Sequence, residues 1–262
     1  MNLELKDKVV LVAAASRGLG KAAALEFSRE GAQVAMCARG EAVHETAREI
    51  SSATGMDTLG IQADLTHPEE IRRLVRTTLE RFGRLDVLIV NGGGPPPGGF
   101  LDLTVNDWRK AAELTLFSAI ELCYAVVPHM VGQGDGSIVA VQSYTVRQPA
   151  DNLVLSNSLR MAVQGLMKSL AIELGPRGIR VNSINPYWTW TERVEELIDD
   201  RARRSNGTRE SEAAKLAAAA PLGRFGEVEE FGRTIAWLAS PAASYIHGQS
   251  LLFDGGAVRS GV

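Results

Sequence analysis

A short glycine-containing loop near the start of the chain has the residue types and spacing that bind a phosphate group. An apolar run, 9–13, leads directly into Ala14-Ala15-Ser16-Arg17-Gly18-Leu19-Gly20, and an amphipathic stretch, 21–30, follows. Glycines let the backbone approach a pyrophosphate, and a helix N-terminus offers free N–H groups and a positive dipole end. A lone Gly-x-Gly is more often a plain turn. Strand, loop and helix together predict a dinucleotide-binding loop formed by Ser16, Arg17, Gly18, Leu19 and Gly20.

Two arginines bear on which dinucleotide binds. Arg17 lies inside the loop, and Arg39 follows the second apolar run, where a carboxylate would instead bind the ribose 2′-hydroxyl. Two cations and no carboxylate favour the 2′-phosphate of NADP. The alternative interpretation is that both are solvated surface arginines, in which case NAD is the cofactor.

The elements that must position this loop alternate regularly along the chain. Short runs rich in Val, Ile and Leu alternate with amphipathic stretches; the runs are 9–13, 34–38, 58–62, 87–90, 138–141 and 180–184. Runs without a polar face predict strands that are buried on both sides, as in a parallel sheet between two layers of helices. We therefore predict a Rossmann-type, doubly wound α/β fold, a three-layer α/β/α arrangement with a parallel sheet of about seven strands.

Composition excludes several classes of protein. The 262 residues carry a formal net charge of -3, with 45% hydrophobic and 23% charged residues. Nothing in this balance indicates a nucleic-acid or membrane partner, or a disordered chain. The two cysteines, Cys37 and Cys123, have no paired spacing and no histidine cluster, so we expect neither a disulfide nor a metal site. The N-terminus has no signal-like apolar segment, and we expect a cytoplasmic protein.

One stretch interrupts the strand–helix rhythm. Residues 188–220 are charged and alanine-rich and follow the 180–184 run directly. We predict that they form a mobile lid or substrate loop over a site, inserted in a single domain that covers 1–262.

Further motifs give the chain a family resemblance over nearly its whole length. Asp64-Leu65 follows the third run, Asn91-Gly92 follows the fourth, and three later segments also fit, namely 178–182, 221–226 and 248–256. With the glycine loop, these resemble the short-chain dehydrogenase/reductase family, and are most similar to 3-oxoacyl-[acyl-carrier-protein] reductases. The resemblance implies that Asp64 and Leu65 hold the adenine and that Asn91 and Gly92 line the cofactor site. The chain departs from the family at Ala14, which stands where the family's loop usually has its first glycine.

The resemblance also indicates where chemistry would occur, and here the chain departs further. Ser143 matches the family serine that polarises a substrate carbonyl, but Ser156 and Arg160 stand where the family has its Tyr-x-x-x-Lys pair. Thr115 occupies the place of the family asparagine. An aliphatic hydroxyl is far too basic to replace a tyrosine as an acid–base group, whereas Arg160 keeps a positive charge that can bind ribose hydroxyls. We therefore expect cofactor binding to survive and proton transfer to suffer.

The segment that abuts the nicotinamide in the family also differs. Its Pro-Gly is Pro186-Tyr187 here, and Trp188, Thr189, Trp190 and Thr191 follow. Pro186, Thr189 and Thr191 match the contacts to the carboxamide. Three roles are open for Tyr187, Trp188 and Trp190: they stack on the nicotinamide, they line an apolar substrate pocket, or they fill the space beside the cofactor.

No histidine replaces the missing acid, because His44, His67, His129 and His247 all lie in contexts that favour structural roles. A phenol is an alternative donor: Tyr144 adjoins Ser143, and Tyr187 is near the expected nicotinamide. Packing alone explains both equally well.

These residues predict an NADP-dependent oxidoreductase that reduces a small-molecule carbonyl, 3-oxoacyl or similar, to an alcohol, with water or a displaced tyrosine as proton donor. The alternatives are a catalytically silent dinucleotide-binding protein, such as a sensor or assembly partner, and a non-redox lyase on the same scaffold. The resemblance also implies a homotetramer. We expect the apolar stripe Leu159, Val163, Leu166, Leu170 and Leu174 to contact another subunit.

Overall fold

A computed structural model describes residues 2–259 of the chain, and its centre is one seven-stranded sheet. The strands are β1 (Val9–Val12), β2 (Gln33–Ala38), β3 (Thr58–Gln62), β4 (Val87–Val90), β5 (Gly136–Val141), β6 (Ile179–Pro186) and β7 (Ser250–Phe253). All neighbouring strands pair in parallel, in the order β3-β2-β1-β4-β5-β6-β7. The predicted doubly wound parallel sheet is confirmed.

Helices cover both faces of the sheet. They are α1 (Gly18–Arg29), α2 (Ala42–Thr54), α3 (Pro68–Phe82), α4 (Val105–Ala112), α5 (Ser118–Gln133), α6 (Val154–Leu174), α7 (Glu192–Ser205), α8 (Arg209–Ala219) and α9 (Val228–Ala239). Successive strand residues point to opposite faces, so Val10 and Val12 pack against α1, α2 and α9, while Leu11 packs against α3, α5 and α6. This alternation forms the three predicted layers.

The chain reverses direction across the sheet between β1 and β4. Val10 pairs with Val34 of β2 on one side and with Val87 of β4 on the other. In open parallel sheets, ligands bind outside the carboxyl ends of the strands at such a switch point, because the adjacent connections leave in opposite directions. The glycine loop begins at the carboxyl end of β1 and therefore opens into this crevice.

One sequence prediction about these elements is wrong. The apolar stripe of α6 packs inside the chain itself: Val163 and Leu174 are buried in the core on one face of the sheet, Leu166 and Leu170 pack against that core, and Leu159 is buried in a small cluster with Ala111 of α4. Periodicity identified an apolar face but could not tell a sheet from another subunit as its partner. The six apolar runs identified in the sequence did not include β7, whose residues are all partly exposed.

A long apolar helical stretch lies beneath the site. The helix from Val105 to Gln133 is long and apolar enough to cross a membrane by length and composition alone. This is weak evidence for a membrane span, because a core helix passes the same test. Leu122, Val126 and Met130 of this stretch are buried against the sheet. A π-helical turn, Glu113–Phe117, connects α4 and α5 within it.

Candidate functional site: a nucleotide-binding cleft

The glycine loop is held in place by contacts that leave no room for larger residues. A Cβ on Gly20 would lie 2.4 Å from the carbonyl oxygen of Ala14, so only glycine fits there. Gly18 has φ +55°, a conformation that favours glycine. Asn91 Nδ2 donates to the carbonyl oxygens of Ala13 and Ala14, both at 3.1 Å. The loop therefore follows one defined path from β1 into α1.

Ala14 adopts an unusual conformation at the start of this loop. Its φ is 48°, in the left-handed region, where a side-chain methyl costs about 1–2 kcal/mol. The sequence showed that alanine replaces the first glycine of the family pattern. The structure shows that the backbone keeps the shape that glycine would adopt more easily.

A cleft of about 600 Å³ extends from this loop along the carboxyl edge of the sheet. Every residue predicted for the site lines it, namely Ser16, Arg17, Gly18, Leu19, Gly20, Arg39, Asp64, Leu65, Asn91, Gly92, Ser143, Ser156, Arg160, Pro186, Thr189 and Thr191. We call the part lined by the glycine loop, Arg39 and Asp64 the phosphate end. We call the part lined by Ser143, Ser156 and Arg160 the serine end.

At the phosphate end, two guanidinium groups face solvent. Arg17 and Arg39 are both exposed at the cleft, and neither pairs with a carboxylate within the described part of the chain. Asp64 is partly buried, which opposes its ionisation. Hydrogen bonds from the Thr66 N–H (2.9 Å) and hydroxyl (2.8 Å), with the charge of Arg39, nevertheless hold the pKa of Asp64 below its usual value. The phosphate end thus presents cations available to an anionic ligand.

At the serine end, α6 is connected to β5 through one arginine. Arg160 Nε donates to Ser156 Oγ at 3.2 Å, and Arg160 Nη1 donates to the Val141 carbonyl oxygen at 3.2 Å. Residues four apart on a helix lie on the same face, which brings Ser156 and Arg160 together. Both bonds leave the Ser156 hydroxyl hydrogen and other guanidinium N–H groups free for a ligand.

The charge of Arg160 has no carboxylate partner among the described residues. Burial, and then the nearby charge of Arg193, lower the pKa of Arg160 to about 10, which still leaves the group protonated at neutral pH. Arg193 lies at the start of α7 and also lines the cleft; its Nη2 donates to the Pro95 carbonyl oxygen at 2.8 Å. Sequence reasoning missed Arg193, although its position two residues after Thr191 was a signal.

The carbonyl-polarising candidate, Ser143, lies where β5 ends. Its Oγ accepts a hydrogen bond from the Thr145 N–H at 3.3 Å and so caps the short 3-10 turn Tyr144–Val146. Next to it, Gln142 is buried and lines the cleft, and its Oε1 has no partner among the described residues. Thr115, in contrast, does not line the cleft; its neighbour Leu114 does, and the Thr115 hydroxyl is buried without a partner in residues 2–259.

The aromatic residues after Pro186 divide between two environments. Tyr187 and Trp188 line the cleft, and the Tyr187 ring meets that of Tyr144 edge-on at 4.6 Å between centroids. Trp188 is buried with Val194, Ile198 and Leu216 in a small core of its own. Trp190 packs on Phe225 outside the cleft, 5.0 Å between centroids. The aromatic segment thus lines the cleft with Tyr187 and Trp188, and Trp188 also packs against the helices of the predicted lid.

The predicted lid consists of two helices, α7 and α8, packed on each other. Thr191 is the N-cap of α7, because its Oγ1 accepts from the Val194 N–H at 3.3 Å. Thr189 is buried and donates its hydroxyl to the Tyr187 carbonyl oxygen at 3.3 Å. Thr191 and the first residues of α7 form one wall of the cleft. That the segment acts as a mobile lid stays a prediction.

Within residues 2–259, no histidine or cysteine lines the cleft. His247 accepts from the Val181 N–H through Nδ1 at 3.1 Å and contacts the Ala171 carbonyl oxygen through Nε2 at 2.7 Å. His44, His67 and His129 are exposed, and both cysteines are buried free thiols. Among residues 2–259, no group of His, Cys, Asp or Glu side chains is arranged to hold a metal ion.

The fold and the cleft define a doubly wound α/β protein with a dinucleotide-type site at its switch point. Residues 13–258 match the family described as Enoyl-(Acyl carrier protein) reductase. The chain is 34% identical over 254 residues to L-rhamnose 1-dehydrogenase (NAD(P)(+)) of a Sphingomonas species, covering 96% of each. It is 32% identical over 257 residues to 3-oxoacyl-[acyl-carrier-protein] reductase of a Synechocystis species, covering 97% of this chain and 98% of the relative. The chain belongs to the short-chain dehydrogenase/reductase family of NAD(P)-dependent oxidoreductases.

Solved structures agree with this assignment. L-sorbose reductase from Gluconobacter frateurii, complexed with NADPH and L-sorbose, superposes with a TM-score of 0.94 at 28% identity and covers 99% of this chain and 100% of its own. Actinorhodin polyketide ketoreductase with NADPH gives a TM-score of 0.93 at 28% identity, covering 97% of this chain and 98% of its own. A deoxysugar, an acyl thioester, a keto sugar and a polyketide are named among these relatives, so similarity alone does not select a substrate.

Proposed function

We propose that the protein is an NADP-dependent oxidoreductase that reduces the carbonyl group of a small molecule to an alcohol. The observation that carries this proposal is the single continuous cleft with two unlike ends. Its phosphate end presents a glycine loop and two unpaired arginines, and its serine end presents hydroxyl groups beside a cation. We expect a dinucleotide to extend from the phosphate end to the serine end. The related structures with NADPH support that cofactor.

The cleft fits a dinucleotide on its own geometry. The backbone at Gly20 has no space for a side chain, while Gly92 and Gly93 have only Leu114 atoms near the position of a Cβ, which leaves room for a ligand above them. Ser16 to Gly20 and the N-terminus of α1 would hold the pyrophosphate, Arg17 and Arg39 the 2′-phosphate, and Asp64 and Leu65 the adenine. Bound NADPH supplies a hydride for the substrate carbonyl.

The chain's own residues at the serine end would orient and polarise the substrate. We propose that Ser143 donates a hydrogen bond to the carbonyl oxygen, with Ser156 beside it, and that Arg160 binds the nicotinamide ribose. Pro186, Thr189 and Thr191 would contact the carboxamide. Fixed donors aimed at an oxygen that gains charge lower the barrier because they need no reorganisation during the reaction.

Fluorescence titration with NADPH and with NADH tests cofactor choice directly. We expect the wild type to prefer NADPH, and the R17A/R39A variant to lose roughly tenfold or more of its NADPH affinity, because charge-assisted hydrogen bonds contribute about 1.5–3 kcal/mol. NADH affinity should not change. R76A is the matched control, since Arg76 is an exposed arginine on α3 that does not line the cleft. Equal loss for NADH and NADPH would show that the arginines do not bind a 2′-phosphate.

A catalytically silent dinucleotide-binding protein is the second candidate. The serine and arginine at 156 and 160 favour it, because the family's phenol and amine are both replaced there. Turnover of NADPH with a panel of aldehydes, ketones and acyl thioesters separates the two candidates. A non-redox lyase requires neither nucleotide, so a folded protein that binds neither NADPH nor NADH would favour that third interpretation.

We further propose that 1–262 forms one domain, that the protein is cytoplasmic, and that it assembles as a homotetramer. One sheet and one cleft support the single domain. Large apolar side chains exposed on the outer faces of the long helices support subunit contacts; these are Phe117, Tyr124, Met161 and Ile172. Sedimentation of the purified protein tests the assembly, and a monomer would contradict it.

A further inference from the structure

The proposed reduction needs a proton donor, and few groups can provide one at the serine end. Among residues 2–259, no histidine, cysteine or lysine lines the cleft. Of its three carboxylates, Asp64 is at the phosphate end, Glu192 is beside Gly18, and Glu196 accepts a hydrogen bond from Arg193 at 3.1 Å. The remaining acids are phenols.

Two of the four tyrosines line the cleft, Tyr144 and Tyr187. The other two, Tyr124 and Tyr245, are 76% and 101% exposed and do not line it. The two cleft phenols differ in how they are attached: Tyr187 follows β6 beside the lid, whereas Tyr144 follows Ser143 without an intervening residue. A donor must be fixed relative to the oxygen that Ser143 polarises, which favours Tyr144.

One tight turn fixes Tyr144 relative to Ser143. The Ser143 carbonyl oxygen accepts from the Val146 N–H at 3.1 Å, and the Tyr144 carbonyl oxygen accepts from the Arg147 N–H at 2.9 Å. Arg160 holds the strand end before this turn through the Val141 carbonyl oxygen. The Tyr187 ring then abuts the Tyr144 ring edge-on, an arrangement that contributes about 0.5–1.5 kcal/mol beyond burial. Backbone and ring contacts together limit the movement of the Tyr144 phenol.

We propose that Tyr144 is the proton donor of the reduction and that Tyr187 is its positioning residue; this rests on the proposed function. The carbonyl carbon gains a C–H bond from the hydride of NADPH, and the electron pair of the C=O π bond moves to the oxygen. That oxygen takes the phenolic proton of Tyr144, so one O–H bond forms as another breaks. The resulting tyrosinate regains a proton from water.

The surroundings of Tyr144 favour the protonated phenol and therefore the direction of reduction. Burial and the adjacent Tyr187 raise the pKa of Tyr144 to about 12, with a smaller contribution from Asp151, while Arg201 and Trp188 act in the opposite direction. At neutral pH the phenol holds its proton and can give it to an alkoxide, which is more basic. Oxidation of the alcohol needs the rare tyrosinate and should be much slower.

The test compares Y144F with Y187F, since each removes one hydroxyl and keeps its ring. In single turnovers with a carbonyl that the wild type reduces, Y144F should lose about 100-fold or more, the range of general acid catalysis. Y187F should lose much less. Y245F is the control, because Tyr245 is fully exposed and does not line the cleft. NADPH affinity, measured by fluorescence, should stay within about twofold in all three variants, because removing one phenol hydroxyl leaves the proposed cofactor contacts in place.

The pH dependence adds a second criterion. The reduction rate of the wild type should stay level from pH 6 to 9, and oxidation of the alcohol product should rise with pH over that range. A Y144F rate equal to the wild type would overturn the assignment of Tyr144, and a larger loss in Y187F would move the role to Tyr187. If no carbonyl reacts while NADPH binds, the proposed reductase fails, and the proton-donor assignment fails with it.

Discussion

The phosphate end and the serine end of one cleft differ in what they require from the sequence. The phosphate end relies on backbone geometry: the close packing at Gly20 admits no side chain, Asn91 fixes two carbonyl groups, and the N-terminus of α1 lines the cleft. The serine end relies on the identity of single side chains, and the family resemblance predicts that those at 156 and 160 differ from the family's pair. Cofactor binding therefore tolerates more substitution than proton transfer, and the two properties can be lost separately.

Filling the space at Gly20 should disrupt the phosphate end most strongly. In G20A, the new Cβ would lie 2.4 Å from the Ala14 carbonyl oxygen, so the loop must move. Overpacking of this kind costs about 1–3 kcal/mol, and we expect NADPH affinity to fall by up to about 100-fold. Fluorescence titration measures it. G132A is the control, because nothing lies within 4 Å of its Cβ. Unchanged NADPH affinity in G20A would show that the loop does not hold the pyrophosphate.

Removing the Ser143 hydroxyl should affect the serine end alone. S143A loses the proposed donor to the carbonyl oxygen, and we expect the single-turnover rate of reduction to fall by roughly 100-fold, as for loss of one oxyanion donor. NADPH affinity should be unchanged. A parallel loss of affinity would mean that Ser143 supports the fold of the cleft rather than the reaction, and near-ultraviolet circular dichroism would detect that change.

Arg160 lies at the serine end but is proposed to bind the nicotinamide ribose, so its removal should have an intermediate effect on cofactor binding. R160A leaves Ser156 Oγ and the Val141 carbonyl oxygen without their donor, and we expect NADPH to bind about tenfold more weakly. R160K restores the charge but not the two-pronged geometry. Recovery of affinity in R160K would assign the effect to charge, whereas no recovery would assign it to the fork of the guanidinium group.

The smallest expected effect is a gain in stability at Ala14. A14G should relieve the cost of the left-handed φ of 48° and raise the free energy of unfolding by about 1 kcal/mol, after the greater flexibility of unfolded glycine is subtracted. Thermal unfolding would then shift upward by about 2–4 °C. A15G is the control of opposite sign, since Ala15 is buried and has no positive φ. A lower melting temperature in A14G would show that the methyl stabilises the loop.

The fold and the meeting of the site residues at one edge of the sheet could be predicted from the sequence. The doubly wound sheet follows from short apolar runs separated by amphipathic stretches, and the site residues meet because parallel strands bring their carboxyl ends to one edge. Apolar periodicity on α6 did not reveal whether Leu159 and Leu174 face the sheet or a neighbour. The strand at Ser250–Phe253 was missed although three of its four residues are apolar, and β3, which was predicted, is also mostly half-buried.

Side-chain contacts across the cleft were beyond prediction. In the sequence, Arg193 is one charge among many in 188–220. Only the packing of α7 brings it near Arg160. Likewise, adjacent residues usually point apart, yet the 3-10 turn after β5 places both Ser143 and Tyr144 on the cleft. Such contacts depend on the orientation of whole elements, which local sequence does not encode.

The hydrogen bond from Arg193 to the Pro95 carbonyl oxygen joins two walls of the cleft, one on α7 and one on the loop after β4. A nucleotide bound between these two walls would leave only after they separate. We therefore expect the residence time of the oxidised nucleotide, rather than the chemical step, to limit the steady-state rate when substrate is abundant. Evolution could then change the speed of the enzyme at this one bond without altering any group that reacts.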